Sequence, residues 1–330
     1  MLQQTRVSVV IPYYERFLER FPSLLALAAA DEDDVLAAWS GLGFYRRARN
    51  LHAGARQMVE QFGGEVPTEP TDLLSIKGIG RYTMGAVLSA AHNQRLPILD
   101  GNVIRVLSRL FRVDGPPDRA ATQRELWGLA EEVLPEARPG DFNQALMDLG
   151  ATVCSPSGPS CRTCPLADVC EGLAQGDADS FPRPGRKQKV VFVVRAAVRI
   201  RLEDGRQLLE RRPGRGLLPR MWELPSVVVG ADESPAARAY TLACSLATQH
   251  GLDPDIGEQL EAVGVSEHRF SHRHWSTHVF DLEVCSVSSG AEAVGSDRRW
   301  VDIAEFDSLG LPTASRKTIE LTRNNGLHPG

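Results

Sequence analysis

Four of the six cysteines in this 330-residue chain lie within seventeen residues, and this cluster constrains the fold more than any other feature. Its members are Cys154, Cys161, Cys164 and Cys170. Disulfides are rare in a reducing compartment, so four closely spaced thiols indicate a metal site. Six, two and five residues separate successive cysteines, whereas zinc sites usually combine two short spacings. The run therefore suits a cubane iron–sulfur cluster at least as well as zinc.

The chain differs in character on the two sides of this cluster. Before it, apolar periodicity and capping signals predict helices and no strands. These helices are Val35–Trp39, Arg46–Phe62, Thr71–Ile76, Arg81–His92, Asp100–Phe111, Arg119–Leu134 and Asp141–Val153. After it, residues 172–189 are rich in Gly, Asp, Ser and Pro and indicate a linker.

Strands are predicted only beyond the linker. Residues 190–202 are rich in Val and Ile, and the following Glu203-Asp204-Gly205 predicts a hairpin turn with 206–212 as its return strand. Pro235–His250 has a helical pattern, and His274–Val284 is a further strand. We therefore predict an all-α domain over 1–171 with a metal loop at 154–170, a linker over 172–189, and an α/β domain over 190–330.

Composition limits the class of protein. Apolar residues make up 42% of the chain and charged residues 24%, as in ordinary globular proteins. Disorder, collagen and coiled coil are thereby excluded for the chain as a whole. No apolar run approaches the ~18 residues of a membrane helix, and no secretory signal follows Met1. We expect a soluble cytoplasmic protein with no membrane partner.

Charge is distributed unevenly along the chain. The net charge of −5 argues against a nucleic-acid partner, but between Phe44 and Arg112 ten basic residues face only five acidic ones. The basic residues are Arg46, Arg47, Arg49, Arg56, Lys77, Arg81, Arg95, Arg105, Arg109 and Arg112. Such an excess is compatible with a phosphate-binding face. Solvated helix faces explain it at least as well, so charge alone leaves both interpretations open.

A glycine-rich turn lies among these basic residues. Ile76-Lys77-Gly78-Ile79-Gly80-Arg81 joins two predicted helices, and its glycines leave backbone N–H groups accessible at the start of the second helix. Such groups bind phosphate without contacting a base. Most turns of this kind are only tight turns, but the position between two amphipathic helices favours the functional interpretation.

A second motif, Asp100-Gly101-Asn102, opens another predicted helix. Aspartate is a favoured helix N-cap, which is sufficient to explain its presence. A carboxylate here can also stabilise a positively charged sugar in an oxocarbenium-like transition state, with Asn102 holding the substrate or Asp100. The sequence does not decide between the two.

In this order and at these separations, the three motifs resemble the helix–hairpin–helix DNA glycosylases with an iron–sulfur loop. Within that superfamily the chain resembles the adenine DNA glycosylases of the MutY type. Besides the motifs above, the resemblance rests on Met1–Thr5, Gly41–Tyr45, Arg49–His52, Ile98–Val103 and Phe142–Gly150. It implies a [4Fe–4S] cluster on the four cysteines. It also implies removal of adenine opposite 8-oxoguanine or guanine in double-stranded DNA, by a monomer acting at the bacterial nucleoid during base excision repair.

The resemblance also assigns residues to the reaction. It implies catalytic roles for Asp100, Asn102 and Tyr82. In the related endonuclease III enzymes a lysine occupies the position of Tyr82 and forms a Schiff base with the sugar. Tyrosine cannot form that imine, so a glycosylase without strong strand-cleaving activity is implied. An endonuclease III-like glycosylase/lyase is the alternative.

Further residues are implied to contact DNA. The residues expected at the phosphates and beside the opened base pair are Gln4, Thr5, Phe44, Arg47, Lys77, Gly78 and Gly80. The C-terminal part resembles the nudix-like domain of the same family, through Gly216–Pro225 and through a loop implied to recognise 8-oxoguanine. That loop is Phe270, Ser271 and His272. The alternative for this domain is a nudix pyrophosphohydrolase, but 244–252 lacks the glutamates that would bind magnesium.

The chain departs from the family at its start. The family's general acid is a glutamate two residues before the methionine that corresponds to Met1, so the printed sequence does not contain it. One hypothesis is a gene start assigned too late, with a longer and active natural protein. The other is a mispair-binding protein with little or no catalysis. Because every other motif is intact, the first hypothesis is favoured.

Overall fold

A computed structural model describes the chain except for part of its loops and its end. Outside the described residues lie Gln4, 187–188, 251, 253–259, 285–296 and 325–330, together with the side chains of 322–324. The described residues form two compact units. The first unit comprises Met1–Arg56 and Gln188–Gly330, and the second comprises Gln57–Lys187. Each is described by itself below; the domain limits 1–171, 172–189 and 190–330 stay a prediction.

The second unit is helical. Its elements are the end of α4 (Arg46–Phe62), α5 (Pro70–Ser75), α6 (Arg81–His92), α7 (Gly101–Leu110), α8 (Ala120–Glu132), α9 (Pro139–Thr152) and α10 (Glu171–Ala174). Helix α4 ends at Gly63 and Gly64, which both adopt the left-handed conformation typical of a helix C-terminus. The core lies between α7, α8 and α9, where Val103, Leu107 and Leu126 are fully buried. This core holds the start of α7, and with it Asp100, in place.

The first unit begins with α1 (Val7–Arg20), α2 (Leu24–Ala29), α3 (Glu32–Ala38) and the start of α4. Three acidic residues in the first turn of α3 complement the helix dipole. Trp39 is fully buried in the core of these helices, and Met221 from the C-terminal part of the chain is buried in the same cluster. Ser40 donates a hydrogen bond to the carbonyl of Leu311 (2.6 Å). The N-terminal helices therefore share one core with the C-terminal part.

The rest of the first unit is an α/β domain around a mixed sheet, which has seven strands in the described residues. The strands are β1 (Val191–Leu202), β2 (Gln207–Arg211), β3 (Trp222–Glu223), β4 (Ser226–Val228), β5 (Glu261–Arg269), β6 (Arg273–Val284) and β7 (Arg298–Val301). β1 and β6 are parallel neighbours, while β5 and β6 form an antiparallel pair. Helix α11 (Pro235–His250) covers β1, and α12 (Thr313–Asn324) packs on β5. The predicted α/β class is confirmed.

The predicted helices agree with the structure, and two of them, Arg46–Phe62 and Arg81–His92, have the predicted limits. The segment interpreted as a linker is partly helical, because α10 and a 3₁₀ helix (Ala178–Ser180) lie within 171–180. Gly172 allows this: a Cβ there would lie 2.7 Å from the carbonyl oxygen of Arg109. In the described residues, no helix combines the length and the apolar character needed to cross a membrane.

Candidate functional site

The glycine-rich turn joins α5 to α6 in the second unit. Gly78 has a φ of +89°, which explains why a residue without a Cβ is needed there. The turn is closed by the N–H of Ile79, which donates to the carbonyl of Ile76 (3.1 Å). Gly80 is the N-cap of α6 and supplies no side-chain cap. The first N–H groups of α6 are therefore accessible to an anion beside the exposed Lys77.

Asp100 lies at the start of α7 and caps it. Its Oδ1 accepts the N–H of Val103 at 2.8 Å, and its Oδ2 accepts the side-chain N–H of Asn102 at 3.3 Å. The structure thus confirms the capping role. Each of the two hydrogen bonds holds a different oxygen, so the carboxylate has a defined orientation. A partly exposed carboxylate fixed in this way is also suited to face a developing positive charge.

Tyr82 lies close to this carboxylate. Burial, and then the negative charge of Asp100, raises the pKa of the Tyr82 phenol. Its hydroxyl donates to the sulfur of Met147 (3.6 Å). The phenol therefore remains protonated at neutral pH. Tyr82, which is distant from Asp100 in the sequence, thus lies within electrostatic reach of the Asp100–Asn102 pair in the second unit.

Arg105 also belongs to this site. In the sequence it was only counted among the ten basic residues between Phe44 and Arg112. It donates to Asn102 Oδ1 (2.9 Å), to the carbonyl of Gly150 (2.6 Å) and to the carbonyl of Cys154 (2.7 Å). It thus connects the Asp100–Asn102 pair to the end of α9 and to the first cysteine of the cluster. Its position three residues after Asn102 on the same helix was the available signal.

Helix α9 approaches this group closely at Gly150. A Cβ on Gly150 would lie 2.7 Å from the Cβ of Asn102 and 3.0 Å from its backbone oxygen. Backbone atoms cannot move aside as a flexible side chain can. The glycine is therefore required by the packing of α9 on α7.

Gly150→Ala is expected to destabilise the protein by about 1–3 kcal/mol through overpacking and to slow any reaction that depends on Asn102. Gly128→Ala is the matched control, because Gly128 lies on the exposed side of α8 with nothing within 4 Å of its Cβ position. It is expected to be neutral or to stabilise by up to about 1 kcal/mol. Urea unfolding of both variants measures the difference; equal stabilities would contradict the packing argument.

Arg109 is buried in the second unit with 2% of its surface exposed, so it belongs neither to a phosphate-binding face nor to a solvated helix face. Its guanidinium donates to the carbonyls of Phe181 (3.1 Å), Ser155 (2.8 Å) and Pro156 (3.2 Å) and to the sulfur of Cys154 (3.3 Å). Arg109 therefore fixes the backbone at the start of the cysteine loop and at Phe181, beyond its end. Arg112, on the following turn, pairs instead with Asp177 (2.7 Å).

The cysteine loop offers a donor set suited to an iron–sulfur cluster. Burial, and then the charges of the other three thiols, raises the pKa of Cys161, so all four sulfurs lie within electrostatic reach of one another. The Arg109 charge acts in the opposite direction. As placed in the described part of the chain, no three His, Cys, Asp or Glu side chains are arranged to hold a metal ion. Four thiols in one loop nevertheless match the chemistry of a Cys₄ cluster.

Three of the four predicted DNA contacts near the N-terminus are described, all in the first unit; Gln4 lies outside the described residues. Phe44 is 52% exposed and has a φ of +49°, so its ring is not part of the core. Arg47 lies over its ring, 5.1 Å from the centroid, and donates to Thr5 Oγ1 (2.9 Å). The exposed aromatic ring is therefore held by a fixed arginine.

The 270–272 loop is the turn between β5 and β6. The N–H of Phe270 donates to the carbonyl of Arg273 (2.7 Å), which closes the turn. Ser271 and His272 are exposed, and the Ser271 hydroxyl lies 3.1 Å from His272 Nδ1. The loop thus presents a hydroxyl and an imidazole to a ligand.

Nudix hydrolases bind magnesium through glutamates on one helix. Helix α11 corresponds to that helix here but does not carry those glutamates at 244–249. On α11, Thr248 donates to the carbonyl of Cys244 (3.0 Å), and Gln249 donates to the hydroxyl of Ser245 (3.2 Å). None of these side chains is a carboxylate, which magnesium prefers. This part of the domain is therefore unsuited to pyrophosphate hydrolysis.

Comparisons with known proteins agree with this architecture. The family model described as "HhH-GPD superfamily base excision DNA repair protein" matches residues 1–132, and the "NUDIX domain" model matches 196–321. Two groups of relatives are similar over nearly the whole chain, in mammals and in bacteria.

An adenine DNA glycosylase of Rattus norvegicus is 34% identical in an alignment of 364 residues, gaps included. The alignment covers 97% of this chain and 70% of the rat protein. The Homo sapiens adenine DNA glycosylase is 34% identical over 382 residues, covering 100% of this chain and 67% of the human protein. A relative from Buchnera aphidicola subsp. Schizaphis graminum is 29% identical and covers 97% of this chain and 88% of its own length. The chain belongs to the adenine DNA glycosylase family, the DNA N-glycosylases of base excision repair.

Proposed function

We propose that the protein hydrolyses the N-glycosidic bond of adenine mispaired with 8-oxoguanine or guanine in double-stranded DNA. The observation that carries the proposal is the fixed carboxylate of Asp100, held by Val103 N–H and Asn102 beside the protonated Tyr82. As the bond between C1′ and adenine N9 breaks, positive charge develops on the sugar, and Asp100 stabilises it. Water then bonds to C1′, and its proton balances the one taken up by the departing adenine.

The hairpin turn and the N-terminal residues hold the DNA in this proposal. The accessible N–H groups of α6, with Gly78, Gly80 and Lys77, bind phosphate. Adenine must leave the stack before its bond can be reached, at a cost of a few kcal/mol that a mispair lowers. The exposed Phe44, with Gln4, Thr5 and Arg47, favours this opening by contacting the stack beside the mispair.

Two further assignments belong to the proposal. The 270–272 loop recognises 8-oxoguanine, because the Ser271 hydroxyl both donates and accepts and is able to reach the edge of the altered base. Cys154, Cys161, Cys164 and Cys170 would hold a [4Fe–4S] cluster. When bound, such a cluster would cross-link the loop and supply electron transfer. Arg109 and Arg105 fix the backbone around it in either state.

A single-turnover assay tests the function. Excess protein is mixed with duplexes that carry adenine opposite 8-oxoguanine, opposite guanine, or opposite thymine, and adenine release and binding are both measured. Release from the first two duplexes is expected, with no product trapped by borohydride, since Tyr82 forms no imine. Borohydride trapping or direct strand cleavage would indicate a glycosylase/lyase instead. Selective binding without release would indicate a mispair-binding protein.

Ser271→Ala is expected to lower the preference for 8-oxoguanine over guanine by about tenfold, the value of one lost hydrogen bond of roughly 1.4 kcal/mol. Binding to the guanine–adenine duplex should remain unchanged, because that base lacks the altered edge. The ratio of the two dissociation constants measures the effect. Ser308→Ala, at another exposed serine of the same unit, is the control. An unchanged ratio in Ser271→Ala would remove Ser271 from recognition.

A further inference from the structure

The 270–272 loop rests on a stack of aromatic rings. His268 and Trp275 are paired across β5 and β6 below the turn. The Phe270 ring lies 4.5 Å from the His268 ring and 4.9 Å from the Trp275 ring, with strongly inclined planes in both cases. Such edge-to-face contacts are favourable. Because Trp275 is buried in the sheet and Phe270 is only half-buried, Trp275 is the fixed end of the stack.

Two arginines also contact the Trp275 ring. The guanidinium of Arg195 lies 4.1 Å from the centre of the indole, and that of Arg212 lies 4.9 Å from it. A desolvated guanidinium against an indole face is among the stronger cation–π contacts. Trp275 is therefore in contact both with the Phe270 ring and with two cations.

One carboxylate orients both cations. Oε1 of Glu223 accepts from Arg195 at 2.7 Å and from Arg212 at 2.6 Å. Arg195 and Glu223 are both buried. Burial lowers the pKa of Arg212, the Glu223 carboxylate opposes that shift, and the Arg195 charge adds to it. Without the carboxylate, two guanidinium groups would repel each other in a poorly solvated site.

Glu223 is itself held by its chain neighbours. Its strand, β3, pairs with β2, and the N–H of the adjacent Trp222 donates to the carbonyl of Gly310 (3.1 Å). Two residues earlier, Met221 is fully buried among the N-terminal helices of the first unit. Ser226 also donates its hydroxyl to Glu223 Oε1 (3.1 Å). The carboxylate is thus a rigid point from which the rest of the cluster is arranged.

We propose that Glu223 is a positioning residue for lesion recognition. It holds Arg195 and Arg212 against Trp275, and Trp275 in turn fixes Phe270 and the direction in which Ser271 points. The inference rests on the proposed function of the 270–272 loop. It adds a residue that lies inside the domain and does not itself contact DNA.

Glu223→Gln tests the inference, because it removes the charge and keeps the shape. Dissociation constants and single-turnover rates are measured on duplexes with adenine opposite 8-oxoguanine and opposite guanine. The preference for 8-oxoguanine is expected to fall about tenfold, as in the loss of the recognition contact itself. Affinity for the guanine–adenine duplex is expected to change less than twofold. A merely structural defect would weaken both duplexes alike and would overturn the proposal.

Asp281→Asn is the matched control. Asp281 pairs with the buried Arg199 on the same strands β1 and β6, at positions further along each strand than Arg195 and Trp275. The Asp281→Asn variant should keep the preference of the unsubstituted protein for 8-oxoguanine over guanine. A loss of preference as large as that in Glu223→Gln would overturn the proposal. If Glu223→Gln does not fold, Arg212→Met replaces it with the same expected loss of preference. If the unsubstituted protein shows no preference for 8-oxoguanine, the proposed function of the loop fails first.

Discussion

Asp100→Asn is expected to lower the single-turnover rate of adenine release by roughly 10²–10³-fold, the cost of removing one preorganised electrostatic group. Asparagine is as good an N-cap as aspartate, so the Val103 N–H keeps its partner and α7 is preserved. The variant loses the negative charge that we propose faces the sugar, and with it the acceptor for the side-chain N–H of Asn102. The rate with protein in excess over an 8-oxoguanine–adenine duplex measures the effect, and the melting temperature should stay within a few degrees.

Asp302→Asn is the matched control for this variant. Asp302 caps the 3₁₀ helix Ile303–Ser308 and accepts the N–H of Ala304 at 2.8 Å, so it is another capping aspartate in the other unit. The Asp302→Asn variant should release adenine at the rate of the unsubstituted protein. If Asp100→Asn also kept that rate, Asp100 would be a helix cap and nothing more.

Arg109→Met is expected to lower the free energy of unfolding by about 3 kcal/mol, roughly 1 kcal/mol for each of the three backbone carbonyls that lose their donor. Methionine fills much of the space but leaves the carbonyls of Phe181, Ser155 and Pro156 without their donor. Each buried carbonyl left unpaired adds to the cost. Urea unfolding measures the loss, and iron content after purification should fall with it because the cysteine loop is no longer held.

Arg112→Met is the control for that prediction. Arg112 belongs to the same end of α7, but its ion pair with Asp177 is partly exposed to solvent. Exposed ion pairs contribute little to stability, so no significant change in the unfolding midpoint is expected. If both variants lost the same free energy of unfolding, the hydrogen bonds of Arg109 to the cysteine loop would contribute no more to stability than an exposed ion pair.

The helices of the second unit were predictable because their signals are local. Periodic apolar residues and the glycines after Phe62 mark α4, and Asn93 in a left-handed conformation ends α6 at the predicted residue. No limits were predicted for α1, which carries Pro12 in its interior, a residue that usually indicates a helix end. Strands β3, β4 and β7 are two to four residues long, too short to show a period.

The arginines illustrate what a sequence leaves undecided. Counted together, Arg46 to Arg112 suggested one basic face. The structure assigns Arg105 and Arg109 to backbone carbonyls around the cysteine loop instead. The charge of an arginine does not show which way its side chain points. The partners of a long side chain depend on how the helices pack.

By itself, the sequence determined the order of the elements, the four-thiol loop, an aspartate at the start of α7 and the family resemblance, since each depends on residues close together in the chain. Only the tertiary structure brought Tyr82 beside Asp100, turned Arg109 inward, and placed Glu223 between two arginines behind Trp275. These contacts join residues far apart in sequence. Their energies depend on burial and mutual geometry, which exist only once the chain has folded.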